Sequence, residues 1–332
     1  MTAEGKKLRV AVTMDTHGEG WELLAPGGRP GCRPHVGRCE FILNPGEIVE
    51  ADFWIVFANA RPSDTVRCAP ENTLFIAAEP ESKKIYPKAF YRQFHHVIDT
   101  HLNSGHPRVT LHAPCMSWHI GLNHSGVFER SHDELATTPC PESTRNQVTV
   151  VCSDAAFTEG QRQRLAFLDT LKSMLGDQLV HFGRGFQPVE DKFDAIYGYR
   201  FHLVVENSQI PHYWTEKISD AYLGWAFPFY IGSPNITDYF PKDSLVELDI
   251  TAPERAAEVI QALLGQPRSQ KEIAAIAEGR RRVLDTYNPW AAWARWAEDF
   301  HQPAATPENF TILTHKAFRP FPRGLLYRLC RR

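Results

Sequence analysis

Short runs of apolar residues alternate with one-faced helical stretches along this chain, and that alternation dictates an α/β fold built on parallel sheets. The run VTVVCS at 148–153 is followed by EGQRQRLAFLDTLKSML, whose Leu165, Leu168, Leu171 and Leu175 mark one helical face, and then by the run QLVHFG. Strand, helix and strand in that order form a βαβ unit. Further runs stand at 8–14 (LRVAVTM), 52–58 (DFWIVFA), 73–79 (TLFIAAE), 95–101 (HHVIDTH), 200–206 (RFHLVVE) and 227–232 (FPFYIG). Being continuously apolar rather than alternating, they read as strands covered on both faces.

A chain of 332 residues with 43% hydrophobic content supports two cores better than one. The proline-bearing stretch SHDELATTPCPESTRNQ at 131–147 reads as the linker. This predicts an N-terminal domain over 1–140, a second over 147–300 and a tail over 301–332, with a cleft between two Rossmann-like domains. Helices are expected over 254–284 and at 288–301, where Pro289 opens the last one and Trp290, Trp293 and Trp296 suit a core. A net charge of -3 provides no broad field for nucleic acid, so any anion site must be local. The seven cysteines include no CxxC pair, and the first 15 residues carry no long apolar leader. Idle thiols in a reducing, cytoplasmic compartment are the expectation. No apolar run reaches 18 residues.

Residues 199–249 carry the chemistry. A strand ending in Glu206, Asn207 and Ser208 sets polar groups at the carboxyl end of a parallel sheet, where open α/β domains bind ligands. Thr215 then reads as the N-cap of a helix beginning Glu216, Lys217, with an apolar stripe through Ile218, Ala221, Tyr222 and Trp225. First-turn amides, the positive dipole end and Lys217 suit a pyrophosphate, and Glu216 can accept from ribose hydroxyls.

This segment resembles the donor-binding half of the alpha-1,3/1,4-fucosyltransferase family, including its bacterial members, in an aromatic strand running through an Glu-Asn-Ser end to YxTEK and a P-x-x-x-G turn. The matching residues are Tyr199, Phe201, Glu206, Asn207, Ser208, Tyr213, Thr215, Glu216, Lys217, Asp220, Ala221, Pro228, Tyr230, Gly232, Ser233, Pro234, Phe240, Pro241 and Ser244. Val205 and Trp214 depart from the pattern but stay hydrophobic. The resemblance implies a GT-B fold and inverting transfer of L-fucose from GDP-fucose to a saccharide hydroxyl of lipopolysaccharide, capsule or another glycan. It implies no protein-held metal and no permanently bound cofactor. Glu216 would take the ribose and Lys217 the phosphates, with Arg184 and then Lys192 as partners of the departing diphosphate. Two alternatives are another nucleotide-sugar donor on the same fold and a glycan-binding module without catalysis.

Inversion needs a carboxylate to take the acceptor proton. Glu79, at the end of TLFIAAE and followed by Pro80, is the expected base, with Glu81 second. Seven histidines crowd the stretch from His95 to His124, but their spacing matches no zinc pattern. Of that stretch, Asp99 and His101 are read as lining the acceptor side. The tail from Lys316 to Arg332 interleaves basic with apolar residues, which suits peripheral contact with an anionic inner-membrane surface.

Overall fold

The computed structural model describes residues 6–15, 19–46, 48–61 and 65–320. The chain divides into two compact units, residues 1–115 with 288–332, and residues 116–287.

In the first unit β1 (Leu8–Met14), β2 (Cys39–Leu43), β3 (Phe53–Phe57), β4 (Thr73–Ile76), β5 (His96–Asp99) and β6 (Val109–Leu111) run parallel in the order β2-β1-β3-β4-β5-β6. His35–Val36 adds an antiparallel edge to β2. The register sets Val10 beside both Phe41 and Phe53. All three side chains are fully buried, as a sheet covered on both faces requires. Strand β2 escapes a reading by apolar runs because Glu40 interrupts it and its edge is polar.

The tryptophan-rich helix Pro289–Phe300 packs in this first unit, which corrects its expected place at the end of the second domain. Asn288 caps it by accepting from the Trp290 N–H at 2.9 Å. The Trp290 ring lies 5.0 Å from Phe41, and the Trp293 ring 5.5 Å from Phe57. Trp290 Nε1 also donates to the Trp21 carbonyl at 2.9 Å. Burying these indoles against β2 and β3 is worth several kcal/mol, about 1.5–3 for each large apolar side chain. Beyond the helix, Glu308–Phe310 pairs antiparallel with Val66–Cys68 and Ile312 enters the core. The expected basic tail falls partly in 321–332, outside the described residues.

The second unit holds β7 (Arg145–Val151), β8 (Leu179–Phe182), β9 (Tyr199–Val205), β10 (Phe227–Ile231) and β11 (Val246–Glu247), parallel in the order β8-β7-β9-β10-β11. Its helices are α1 (His132–Thr137), α2 (Glu159–Leu175), α3 (Lys192–Ile196), α4 (Glu216–Leu223), α5 (Pro253–Leu264) and α6 (Gln270–Arg281). The presumed linker is therefore structured. Ser131 and Glu134 close a capping box on α1, and β7 already begins at Arg145. The unit also starts earlier than expected, at Met116. Helix α2 is capped by Thr158 and Gln161 and buries Phe167, Leu168, Leu171 and Leu175. Arg164 lies on the same buried stripe.

Candidate functional site

The site lies at the carboxyl ends of β7, β8 and β9. Every residue of β9 is buried, and the chain leaves it at Glu206, whose carboxylate is also buried. That carboxylate accepts from the Thr215 N–H at 2.8 Å and from the Thr215 hydroxyl at 2.8 and 2.9 Å. Thr215 thus ties the start of α4 to the end of β9. Its oxygen also caps the helix, taking the Lys217 N–H at 3.5 Å, the long limit of such a bond. Gly232, in the turn after β10, is part of this construction. A Cβ there would meet the Tyr230 hydroxyl and stand 2.7 Å from Glu206 Cγ, so only glycine leaves room.

Lys217 Nζ stands 3.0 Å from Glu216 Oε1, 3.4 Å from Glu206 Oε2 and 3.0 Å from the Thr215 hydroxyl. Burial alone would lower its pKa, but the two carboxylates more than offset this and raise it, so Lys217 is a fixed cation. Burial pushes the Glu206 carboxyl up. Burial acts on Glu216 the same way, yet Lys217, His119 and Lys192 together hold it well below the usual carboxylate range. Lys192, on α3, donates to Asp220 Oδ2 at 2.8 Å and reaches Glu216 Oε1 at 4.0 Å. The lysines expected to meet phosphates are already engaged with carboxylates of their own unit.

A cavity of about 340 Å³ opens over these groups, lined by Glu216, Lys217, Lys192, Arg184, Arg164 and His119 among others. Arg184 is mostly exposed and pairs loosely with Asp154 at 3.6 Å. Asn207 accepts from Arg164 Nη1 at 2.7 Å, Tyr213 is buried, and Ser208 is half-buried. The expected residues from Glu206 to Lys217 and Lys192 therefore come together, and Arg184 shares their cavity at its rim.

Arg164 is the residue the sequence conceals. It sits on the buried face of α2, only 6% exposed, with Nε unpartnered among the described residues. Among the described residues no carboxylate lies within ion-pair distance of it. A buried guanidinium without a carboxylate is costly, and its place in the lining of this cavity makes it a candidate anion ligand. The available signal was an arginine breaking an apolar stripe, in the helix that follows the first strand of the unit.

His119 also reaches the cavity. Its ring Nδ1 is 3.8 Å from Glu216 Oε1. The main-chain N–H groups of His119 and Ile120 donate to Asp220 Oδ1 at 2.7 and 3.1 Å. The Gly121 N–H donates to Asp191 Oδ1 at 2.8 Å. The other crowded histidines have separate duties: His106 Nε2 meets the Phe94 carbonyl at 3.0 Å, and the His96 ring stacks on Phe300 at 4.3 Å.

Glu79 belongs to the first unit. Strand β4 ends at Ile76, so Glu79 lies in the bend beyond it rather than on the strand, and Glu81 is exposed. The Glu79 carboxylate pairs with Lys83 at 2.7 Å, and the Glu79 carbonyl meets His101 Nε2 at 3.0 Å. His101 and Asp99 are both buried, and Tyr91 donates to Asp99 at 2.6 Å.

Two α/β units, each built on a parallel sheet, give the chain a fold of the GT-B type. Residues 142–272 match the family model for glycosyltransferase family 10 (fucosyltransferase), C-terminal part, and this stretch contains the motif. The alpha-(1,3)-fucosyltransferase FucT of Helicobacter pylori is 38% identical over 88 residues, 26% of this chain and 18% of that protein. The matched stretch thus spans under a fifth of that relative's length. A crystal structure of an alpha1,3-fucosyltransferase aligns at a TM-score of 0.50 and 17% identity, over 91% of this chain and 94% of that one. Another, of alpha1,3-fucosyltransferase with GDP-fucose, aligns at 0.48 and 18%, over 93% and 95%. At 17% identity the first of these likenesses is one of fold.

Proposed function

We propose that this chain transfers L-fucose from GDP-fucose, with inversion, to a hydroxyl of a saccharide acceptor such as lipopolysaccharide, capsule or another glycan. The observation that carries the reading is the cluster of Glu206, Thr215, Glu216 and Lys217 at the start of α4, inside the stretch that matches the fucosyltransferase model. Glu216 receives the ribose hydroxyls. Lys217 and Arg164 face the diphosphate, with Lys192 and the rim residue Arg184 completing the positive side. Glu79 takes the proton of the acceptor hydroxyl as its oxygen attacks the anomeric carbon, and the bond from that carbon to the β-phosphate oxygen breaks, releasing GDP. Developing charge on GDP is met by fixed cations, the kind of preorganised stabilisation that lowers barriers most. The compartment is proposed to be the cytoplasm, with the basic tail touching the inner-membrane face.

Thermal-shift titration with GDP, GDP-fucose, GDP-mannose and UDP-glucose tests the donor. Stabilisation by GDP and GDP-fucose that vanishes in Lys217→Ala supports the reading, preference for GDP-mannose replaces the sugar, and no response to any guanine nucleotide sinks it. Loss of transfer in Glu79→Gln with unchanged donor binding tests the base.

A further inference from the structure

We propose that His119 is a further residue of the donor site, a proton-switched cation that tightens binding of a nucleotide diphosphate-sugar as the pH falls. The inference rests on the donor reading above and concerns a residue that lies outside the matched stretch of 142–272.

The charge around the cavity carries the argument. Four cations face it: Arg164, Arg184, Lys192 and Lys217. The carboxylates of Glu190 and Glu216 line it, and Asp154, Glu206 and Asp220 back it through ion pairs with those cations. Even with Glu206 left out, because burial raises its carboxyl, four carboxylates offset the four cations, so the site has no net positive charge although it must receive a diphosphate. A group able to gain a proton there would relieve the conflict.

His119 is placed for that role. Its main chain is clamped to Asp220, which fixes the backbone from which the ring reaches the cavity. The ring is 38% exposed and within 3.8 Å of Glu216. The groups facing it are Glu216, Lys217 and Asp220 from α4, Lys192 from α3, Arg164 from α2, Glu190 and Arg184 from the loop after β8, and His124 from its own loop. Burial lowers the ring's pKa, Glu216 raises it and Lys192 lowers it again, so the ring is neutral at pH 7 in the free protein. A diphosphate adds negative charge beside it and favours the imidazolium. By linkage, ligand binding then takes up a proton, and affinity rises as the pH falls.

Calorimetric titration of the full chain with GDP-fucose at pH 5.5 and 7.5 tests this, with circular dichroism recording the folded state at both. GDP-fucose is the suitable probe because its diphosphate is esterified at both ends and does not titrate in this window. The wild type is expected to bind several-fold tighter at the lower pH, about tenfold being the limit that one unit of pKa shift sets. His119→Gln should lose that difference, as should His119→Asn, whereas His124→Gln should keep it. A pH dependence that survives in both His119 variants, or is absent from a wild type that does bind, overturns the proposal and leaves the donor reading standing. A wild type that binds no GDP-fucose at either pH overturns both.

Discussion

Arg164 Nη1 donates to Asn207 Oδ1 at 2.7 Å, joining the buried face of α2 to the polar end of β9. A hydrogen bond to a neutral amide and another to the Cys152 thiol supply no counter-charge for a buried guanidinium. Arg164 therefore reads as a group kept for a ligand. Arg164→Met should raise the thermal midpoint of the ligand-free protein or leave it unchanged, while weakening GDP-fucose binding about 10–100-fold, the range for a hydrogen bond to a charged group. A midpoint that falls, with binding intact, would make Arg164 structural.

Gly232→Ala should damage the donor site without touching a ligand. The added methyl would displace Tyr230 or Glu206, and Tyr230 also accepts from the Ser233 N–H at 2.8 Å. Overpacking of this kind costs about 1–3 kcal/mol. Donor affinity should drop with Lys217 still present, which titration of the variant beside Gly232→Ser would check. Unchanged affinity would show that Glu206 does not hold α4 in place.

His202, buried on β9 with Nδ1 2.8 Å from the Thr149 hydroxyl, is pushed by burial to a pKa of about 3. The unfolded chain binds this proton below pH ~6.5, whereas the folded chain refuses it, so the stability contributed at neutral pH is lost as pH falls from ~6.5 toward 3. Between pH 7 and 4 the loss should be about 3 kcal/mol. His202→Gln should flatten that part of the curve in denaturant titrations, and an equally steep curve would contradict the assignment.

Arg200 is buried and forked onto Glu272, with Nη2 to Oε2 at 2.8 Å and Nε to Oε1 at 3.1 Å. Arg200→Ala leaves the largely buried Glu272 facing the more distant Arg268, at 3.9 Å, and should cost about 1.5–3 kcal/mol by urea unfolding, the range for a hydrogen bond to a charged group. The double variant Arg200→Met with Glu272→Met should recover most of the loss. Failure to recover would mean that the contacts of Arg200 with the carbonyls of Leu263 and Pro267 hold α5 and α6 in place.

Sequence by itself determined what depends on neighbours along the chain. The apolar runs of β1, β3, β4, β7, β9 and β10, the capped start of α4 at Thr215 and the polar end of β9 are all set by local patterning, and each stands within a few residues of where the letters put it. Tertiary structure decided what depends on burial between distant segments. Trp290 and Trp293 could have packed against either sheet, and only their contacts with Phe41, Phe57 and Trp21 assign them to the first unit. Arg164 and His119 look ordinary in the sequence, since one is an arginine in a helix and the other a member of a histidine-rich stretch. Their meaning comes from a shared cavity whose charge is a sum over six segments of chain, and no local window contains that sum.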